Sequence, residues 1–210
     1  YVAFAVVIGA VLLIKPSLLL GGYLLPKHLM GVLLGGALLM VGGFLDDRRQ
    51  RSPLQQIIWP VLATLVVLAS GIGLGYISNP LGNAFRLDLW SVSLFHFRDL
   101  PYTITLPADL FVFVWLIGAM YTTKFLDGLD GLVGGITTIG MLILFALSMT
   151  PAVGQPETAR VAIIAAGAFL GFLLFNFHPA RIFLGEGGSL FAGFLLGTLA
   201  IISGGKIATA

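Results

Sequence analysis

The sequence contains no cysteine, which excludes a disulfide framework, a thiolate metal site and a cysteine nucleophile while saying little about compartment. Charge is scarce as well. Asp, Glu, Lys and Arg make up 10% of the 210 residues, against 58% that are hydrophobic, whereas a soluble domain carries about 25% charged residues. With a mean hydropathy of +1.05, a soluble globular protein is excluded. Eleven Lys and Arg face nine Asp and Glu, for a net charge of +2. The pI near 9.1 therefore reflects few charges rather than a basic patch, and no nucleic-acid partner is expected. The chemistry of such a chain has to come from Asp, Glu, His, Lys, Arg and the backbone.

What is present in abundance is apolar sequence. Runs occur at Tyr1 to Ile14, Leu29 to Leu45, Ile57 to Tyr76, Leu110 to Phe125, Leu132 to Met149, Val161 to Phe175 and Leu190 to Ile202. A membrane-crossing helix takes about 20 residues, so the length suits an all-α integral membrane protein with about seven transmembrane helices in a single polytopic domain over residues 1–210. Many of the 28 glycines lie inside these runs, among them Gly31, Gly35, Gly42, Gly193 and Gly197. In lipid, small residues let helices approach closely, so these read as packing positions rather than ligand positions. Tyr1 opens inside an apolar run without a charged leader, and Leu190 to Ala210 stays apolar to its end. The chain is accordingly expected to be an internal piece of a longer bundle.

Counting crossings alternates the connections between two sides. Asp46-Asp47, Lys124 to Gly131 and Asn176 to Ser189 fall on one side; Lys15 to His28, Ser78 to Asp109 and Thr150 to Arg160 fall on the other. In the longest connection, FRLDLWSV and YTITL alternate as strands do, which suggests a small surface β-hairpin at 81–106 with Trp90 and Tyr102 as interfacial anchors. Basic residues divide five against six between the sides and leave orientation undecided, although the RRQR cluster leans towards the cytoplasm.

Five of the nine acidic residues, Asp46, Asp47, Asp127, Asp130 and Glu186, thus share one membrane face. Ionisable groups beside spans are costly without a role, and three clusters at one level can converge on one cation. Alone, Asp46-Asp47-Arg48-Arg49 reads as a solvated helix end. In FLDGLDGLVGG, Asp127 and Asp130 stand three apart, which on a helix puts them on one face. Gly128 and Gly131 there remove Cβ atoms where a phosphate or ribose would approach backbone. In FNFHPARIFLGEGGSL, Pro179 interrupts any helix, and the glycines around Glu186 lead into the next span with Ser189 as a candidate N-cap. Backbone N–H groups at that helix start could meet an anion. His28 and His96 fall on the far side and His178 lacks a second His, so none of the three is expected to bind metal.

FLDDRRQ, FLDGLDGL and FNFHPARIFLGEGGSL, in that order and separated by spans, resemble the polyprenyl-phosphate N-acetylhexosamine-1-phosphate transferases, the family of phospho-MurNAc-pentapeptide translocase and the undecaprenyl-phosphate GlcNAc-1-phosphate transferases. The resemblance covers the whole chain. It implies a multi-pass inner-membrane enzyme of cell-wall or surface-polysaccharide synthesis with a cytoplasmic site. Its substrates would be a UDP-sugar and polyprenyl phosphate, its cofactor Mg²⁺ and its released product UMP, and the resemblance allows a homodimer. By motif position it implies catalytic roles for Asp46, Asp47, Asp127 and Asp130. Phe183 would stack on uracil, Asn176, Gly128 and Leu129 would line the nucleoside pocket, and Asp130 would bond uracil. Lys124, Arg181 and Ser189 join the expected substrate-binding residues. Two positions depart from the family pattern, with Lys124 where Asn is usual and Glu186 where Asp is usual. The family's first helix with its Pro- and Gly-containing loop, and its later His-rich loop, have no match, so this piece alone is expected to be inactive.

Mg²⁺ is a hard ion that takes one or two carboxylates plus waters and substrate phosphates. Asp46, Asp127 and Glu186 are the metal candidates, with Asp47 orienting the nucleophile. A lipid phosphate has a second pKa of about 6 and is mostly dianionic at pH 7. Passing its last proton to an ordinary Asp is uphill by roughly 3 kcal/mol, which favours positioning over general-base chemistry. The competing classes are a secondary transporter with intramembrane carboxylates, which would place its acids near the bilayer midplane, and an inactive remnant.

Overall fold

The computed structural model describes residues 1–22, 24–49, 52–74, 76–77, 85–86, 90–97 and 100–207. Its helices follow the apolar runs: α1 Val2–Ile14, α2 Pro26–Arg49, α3 Pro53–Gln56, α4 Ile58–Ala69, α5 Ala108–Leu126, α6 Leu132–Met149, α7 Pro156–Asn176 and α8 Gly185–Ile207, with a 3-10 turn at Pro16–Leu18. The architecture is that of an all-α membrane protein. Among the described residues five helices, α2 and α5 to α8, are long and apolar enough to cross a bilayer, where about seven were expected.

The two shorter apolar helices, α1 and α4, end for local reasons. In α1, Lys15 leaves helical geometry at φ −152° before Pro16 opens the 3-10 turn. α4 ends at Ala69 instead of running to Tyr76. There the Ser70 hydroxyl donates to the Val67 carbonyl at 2.6 Å. Gly71 takes a left-handed φ of +81° and its N–H donates to Leu68 O at 2.9 Å, which closes a helix as a glycine just past its end commonly does.

Tyr76 lies instead in β1 (Tyr76–Ile77), which pairs antiparallel with β2 (Phe85–Arg86). The expected hairpin is present within its bounds: β3 (Trp90–Phe97) pairs with β4 (Leu100–Leu106), Trp90 opposite Leu106 and Phe97 opposite Leu100, with an irregularity between Ser93 and Phe95. The anchor roles of Trp90 and Tyr102 concern side chains outside the described part. Asp109, in the first turn of α5, accepts the Thr105 N–H at 2.8 Å and ties the hairpin's end to the helix.

α8 is the central helix. Of the most apolar stretch in Gly185–Gly204, 78% is buried inside the protein, against 22% for Ala108–Leu126, so α5 faces outward while α8 is wrapped by α2, α5 and α6. Phe191, Phe194, Leu195 and Leu199 from α8 join Phe4 and Ile8 of α1, Leu39 of α2, Leu116 and Met120 of α5 and Met141 of α6 in one core. The α2/α8 crossing is a backbone contact, because a Cβ on Gly43 would overlap the Gly187 backbone nitrogen and one on Gly187 would stand 3.0 Å from Leu39 O. The other interior glycines pack as expected, Gly31 on Ser70, Gly35 on Phe194, Gly42 on Trp59, and Gly193 and Gly197 on α5.

Candidate active site

Close packing at the α2/α8 and α5/α8 crossings brings the ends of five long helices together at one end of the bundle. The Thr123 hydroxyl of α5 donates to Ser189 O of α8 at 2.8 Å. That bond sets the end of α5, where Lys124 and Asp127 sit, against the start of α8, where Glu186 sits.

Asp127–Gly131 is a turn and not the helical face that the three-residue spacing suggested. Asp127 caps α5 at ψ +33°, and Gly131 precedes α6 with φ +74°, a left-handed conformation that glycine adopts without strain. Gly131 is therefore required by its backbone, and a Cβ there would meet Leu173 and Phe177. Gly128 is different, since a Cβ there would meet nothing within 4 Å; it leaves one wall of a pocket open.

That pocket, of about 360 Å³, is lined on one side by Lys124, Asp127, Gly128, Leu129 and Asp130. Asn176, Phe183, Gly185, Glu186 and Ser189 complete it. Nine of the residues singled out from the sequence are thus brought to one cavity. Phe183 is 75% exposed at its rim and also borders an apolar cavity of about 560 Å³ between α1, α7 and α8, lined by Phe4, Phe169, Phe172 and Phe191 among others.

Asp46, Asp47 and Arg181 are not lining residues. Asp47 stands at the corner: its Oδ1 accepts the Glu186 N–H at 3.4 Å, and a Cβ on Gly185, at φ +65°, would lie 2.8 Å from its Oδ2. The anion at the start of α8 is thus the protein's own Asp47, where the helix dipole favours negative charge. Asp46 is buried in the last turn of α2 and, with Glu186, lies within electrostatic reach of Tyr121. Arg181 is exposed and holds the loop through its backbone N–H, which donates to Phe175 O at 2.9 Å. Ser189 is not an N-cap, because α8 begins at Gly185 and its hydroxyl donates back to the Gly185 and Glu186 carbonyls, each at 3.1 Å.

Several partnerships revise what the residues do. Asn176 is buried; its Oδ1 accepts the Gly131 N–H at 3.0 Å and its Nδ2 donates to Ile182 O at 2.8 Å. It staples the α5/α6 turn to the 177–184 loop. Asp130 Oδ2 accepts the Ala180 N–H at 3.1 Å and pairs with His178 Nδ1 at 3.0 Å. Those two bonds hold its carboxyl below the usual range. Burial pushes the Asp127 carboxyl up to about 6, partly opposed by the Ser189 hydroxyl. Lys124 forms an ion pair with Glu186, and its ammonium also donates to Gln56 Oε1 at 3.3 Å.

The sequence motifs did not include Gln56, Tyr121 or His178 as a partner of Asp130. Tyr121 was findable, being three residues before Lys124 and so on its helix face. Gln56 carried no local signal.

Among the described residues no three Asp, Glu or His side chains stand close enough to form a metal cage. Mg²⁺ does not need one, since one or two carboxylates with waters and substrate phosphates suffice. Three carboxylates, Asp127, Asp130 and Glu186, line the pocket. All five carboxylates sit at or just beyond helix ends rather than mid-helix.

The sequence pattern of Glycosyl transferase family 4 matches residues 29–204. The chain belongs to that family. Members similar to it include the decaprenyl-phosphate N-acetylglucosaminephosphotransferase of Mycolicibacterium smegmatis, 30% identical over 89% of this chain and 44% of that one. The enzyme of the same name from Mycobacterium tuberculosis is 30% identical over 97% of this chain and 49% of its own length. The phospho-N-acetylmuramoyl-pentapeptide-transferase of Symbiobacterium thermophilum is 36% identical over 68% of this chain and 40% of the relative. The chain thus spans half or less of the family members it matches, and the matched region contains every residue of the pocket.

Proposed function

We propose that the protein to which this chain belongs transfers an N-acetylhexosamine 1-phosphate from a UDP-sugar to polyprenyl phosphate, releasing UMP, for cell-wall or surface-polysaccharide synthesis. Its pocket opens on the cytoplasmic face of the inner membrane. The observation that carries this reading is one pocket that joins three carboxylates, Asp127, Asp130 and Glu186, to an ammonium, a Cβ-free turn and an exposed aromatic ring, beside an apolar cavity that shares that ring. A phosphate on a long hydrocarbon chain needs a polar and an apolar site in contact. Membership of the family, whose relatives are named as a decaprenyl-phosphate N-acetylglucosaminephosphotransferase and a phospho-N-acetylmuramoyl-pentapeptide-transferase, supports the same reading.

Asp127 and Glu186 would hold Mg²⁺, without Asp46, which lies outside the pocket lining and forms no three-carboxylate group with them. The ion's contribution is to offset phosphate charge and polarise the phosphoryl oxygens. Phe183 offers its exposed face to the uracil ring, Gly128 and Leu129 present backbone to the nucleoside, and Asn176 keeps the turn and the 177–184 loop in register. Asp47 fixes the start of α8 and so aims Glu186 into the pocket. The roughly 3 kcal/mol cost of a carboxyl base applies to an unperturbed Asp. At about 6 Asp127 does not carry it, so the pH profile of turnover with and without Asp127→Asn separates proton removal from positioning.

The deciding experiment incubates membranes containing the complete protein with a panel of UDP-sugars and polyprenyl phosphate and follows UMP. UMP formed only when UDP-sugar, lipid phosphate and Mg²⁺ are all present is the expected result. UMP independent of the lipid, or none with any donor, refutes the proposal.

A further inference from the structure

Lys124 and Glu186, the two positions that depart from the family pattern, face each other. The ammonium is fixed from three directions, by the Glu186 carboxylate, by Gln56 Oε1 at 3.3 Å and by the Tyr121 ring at 5.6 Å from its centroid. The paired side chains are only 21% and 18% exposed, so their attraction is weakly screened and either partner left alone would be a poorly solvated charge. Both line the pocket that also holds Asp127. An ammonium has three donors and no acceptor; it cannot join a metal's coordination shell, and it repels a divalent ion drawn to the same carboxylate.

We infer that Lys124 is a built-in competitor for Glu186: its ammonium holds the carboxylate until a divalent cation displaces it, and the freed ammonium then serves as a phosphate-binding cation in the pocket. The chain would therefore bind a divalent cation weakly on its own, and the requirement for phosphate ligands follows from its own side chains. A compact, flexible, strongly hydrated charge suits such an exchange better than a planar guanidinium would. Lys124 acts here as a positioning and tuning residue.

This inference rests on the cation reading above, and its test separates the two. Mn²⁺, as a probe for Mg²⁺, is titrated into the full-length protein in detergent, and free Mn²⁺ is read by EPR; retained helical circular dichroism checks the fold of each variant. Lys124→Gln and Lys124→Asn, two variants of different size, are each expected to bind Mn²⁺ at least about tenfold more tightly than the unmodified protein, the order expected when a competing, largely desolvated ion pair is removed. Lys124→Arg keeps the competitor and stays near the unmodified affinity. Arg48→Gln removes an exposed charge that sits over the Phe44 ring at 4.2 Å and changes affinity by less than about twofold. Unchanged or weaker Mn²⁺ binding in both neutral variants, with binding by the unmodified protein intact, overturns the competition and leaves the cation reading standing. No binding by the unmodified protein or any variant overturns both.

Discussion

Asp127 offers the sharpest test of the pocket's electrostatics. Its carboxyl is half-buried at the end of α5, and burial raises it from 3.8 to about 6. In the unfolded chain it ionises near 3.8, so between about pH 4 and pH 6 the folded protein holds a proton that the unfolded chain has lost. Stability from this group is greatest at low pH, falls as pH rises through that window and stays low above it. Asp127→Asn removes the ionisable group at nearly constant shape. A shift of two units corresponds to about 3 kcal/mol, but the group is partly open to solvent, and screening reduces the figure to about 1 kcal/mol. For a protein of this length that is a gain of about 2–4 °C in Tm. Metal-free protein in detergent, melted at pH 4 and pH 8, should show Asp127→Asn matching the unmodified protein at pH 4 and exceeding it at pH 8. Added Mg²⁺ should cancel the advantage at pH 8, because a bound cation stabilises the carboxylate. An equal change at both pH values, or a loss at pH 8, would refute the argument that burial opposes this charge.

Three other outcomes follow from the geometry. Asn176→Leu removes two part-buried hydrogen bonds, to the Gly131 N–H and the Ile182 carbonyl, so it should lower stability by about 1–3 kcal/mol and expose the 177–184 loop to limited proteolysis. Gly43→Ala places a methyl on the Gly187 backbone, where no flexible side chain can yield, and a loss of about 1–3 kcal/mol in thermal or denaturant melts is expected. Phe183→Ala should weaken UMP binding by roughly tenfold, the loss of one base–aromatic stack, with Phe183→Tyr restoring it in calorimetric titrations.

The fold class was legible because apolar runs and their interruptions are local properties of the chain. Each run became a helix, the hairpin fell within 81–106, and Gly31, Gly35, Gly42, Gly193 and Gly197 became contacts. The helix ends were not, since α1 and α4 are ended by Lys15-Pro16 and Ser70-Gly71, features smaller than a hydropathy window. Most of the candidate site was also visible, because its carboxylates cluster in short motifs at span ends. The roles within it were less so. Spacing treated Asp127 and Asp130 as a helical pair, although a left-handed Gly131 makes the segment a turn, and Arg181 looked like a phosphate ligand while its side chain lies outside the pocket lining.

Composition and periodicity alone determined that this chain lives in lipid, and motif order alone determined which acids share one end of the bundle, because helix formation and membrane partition are decided within about 20 residues. Partnership is another matter. Lys124 meets Glu186 across 62 positions of sequence and Asp47 meets Glu186 across 139. Only the close α2/α8 and α5/α8 crossings, allowed by Gly43 and Gly187 at the first and by Gly193 and Gly197 of α8 at the second, decide that an ammonium rather than open solvent faces the carboxylate, and a charge's partner is what sets its chemistry.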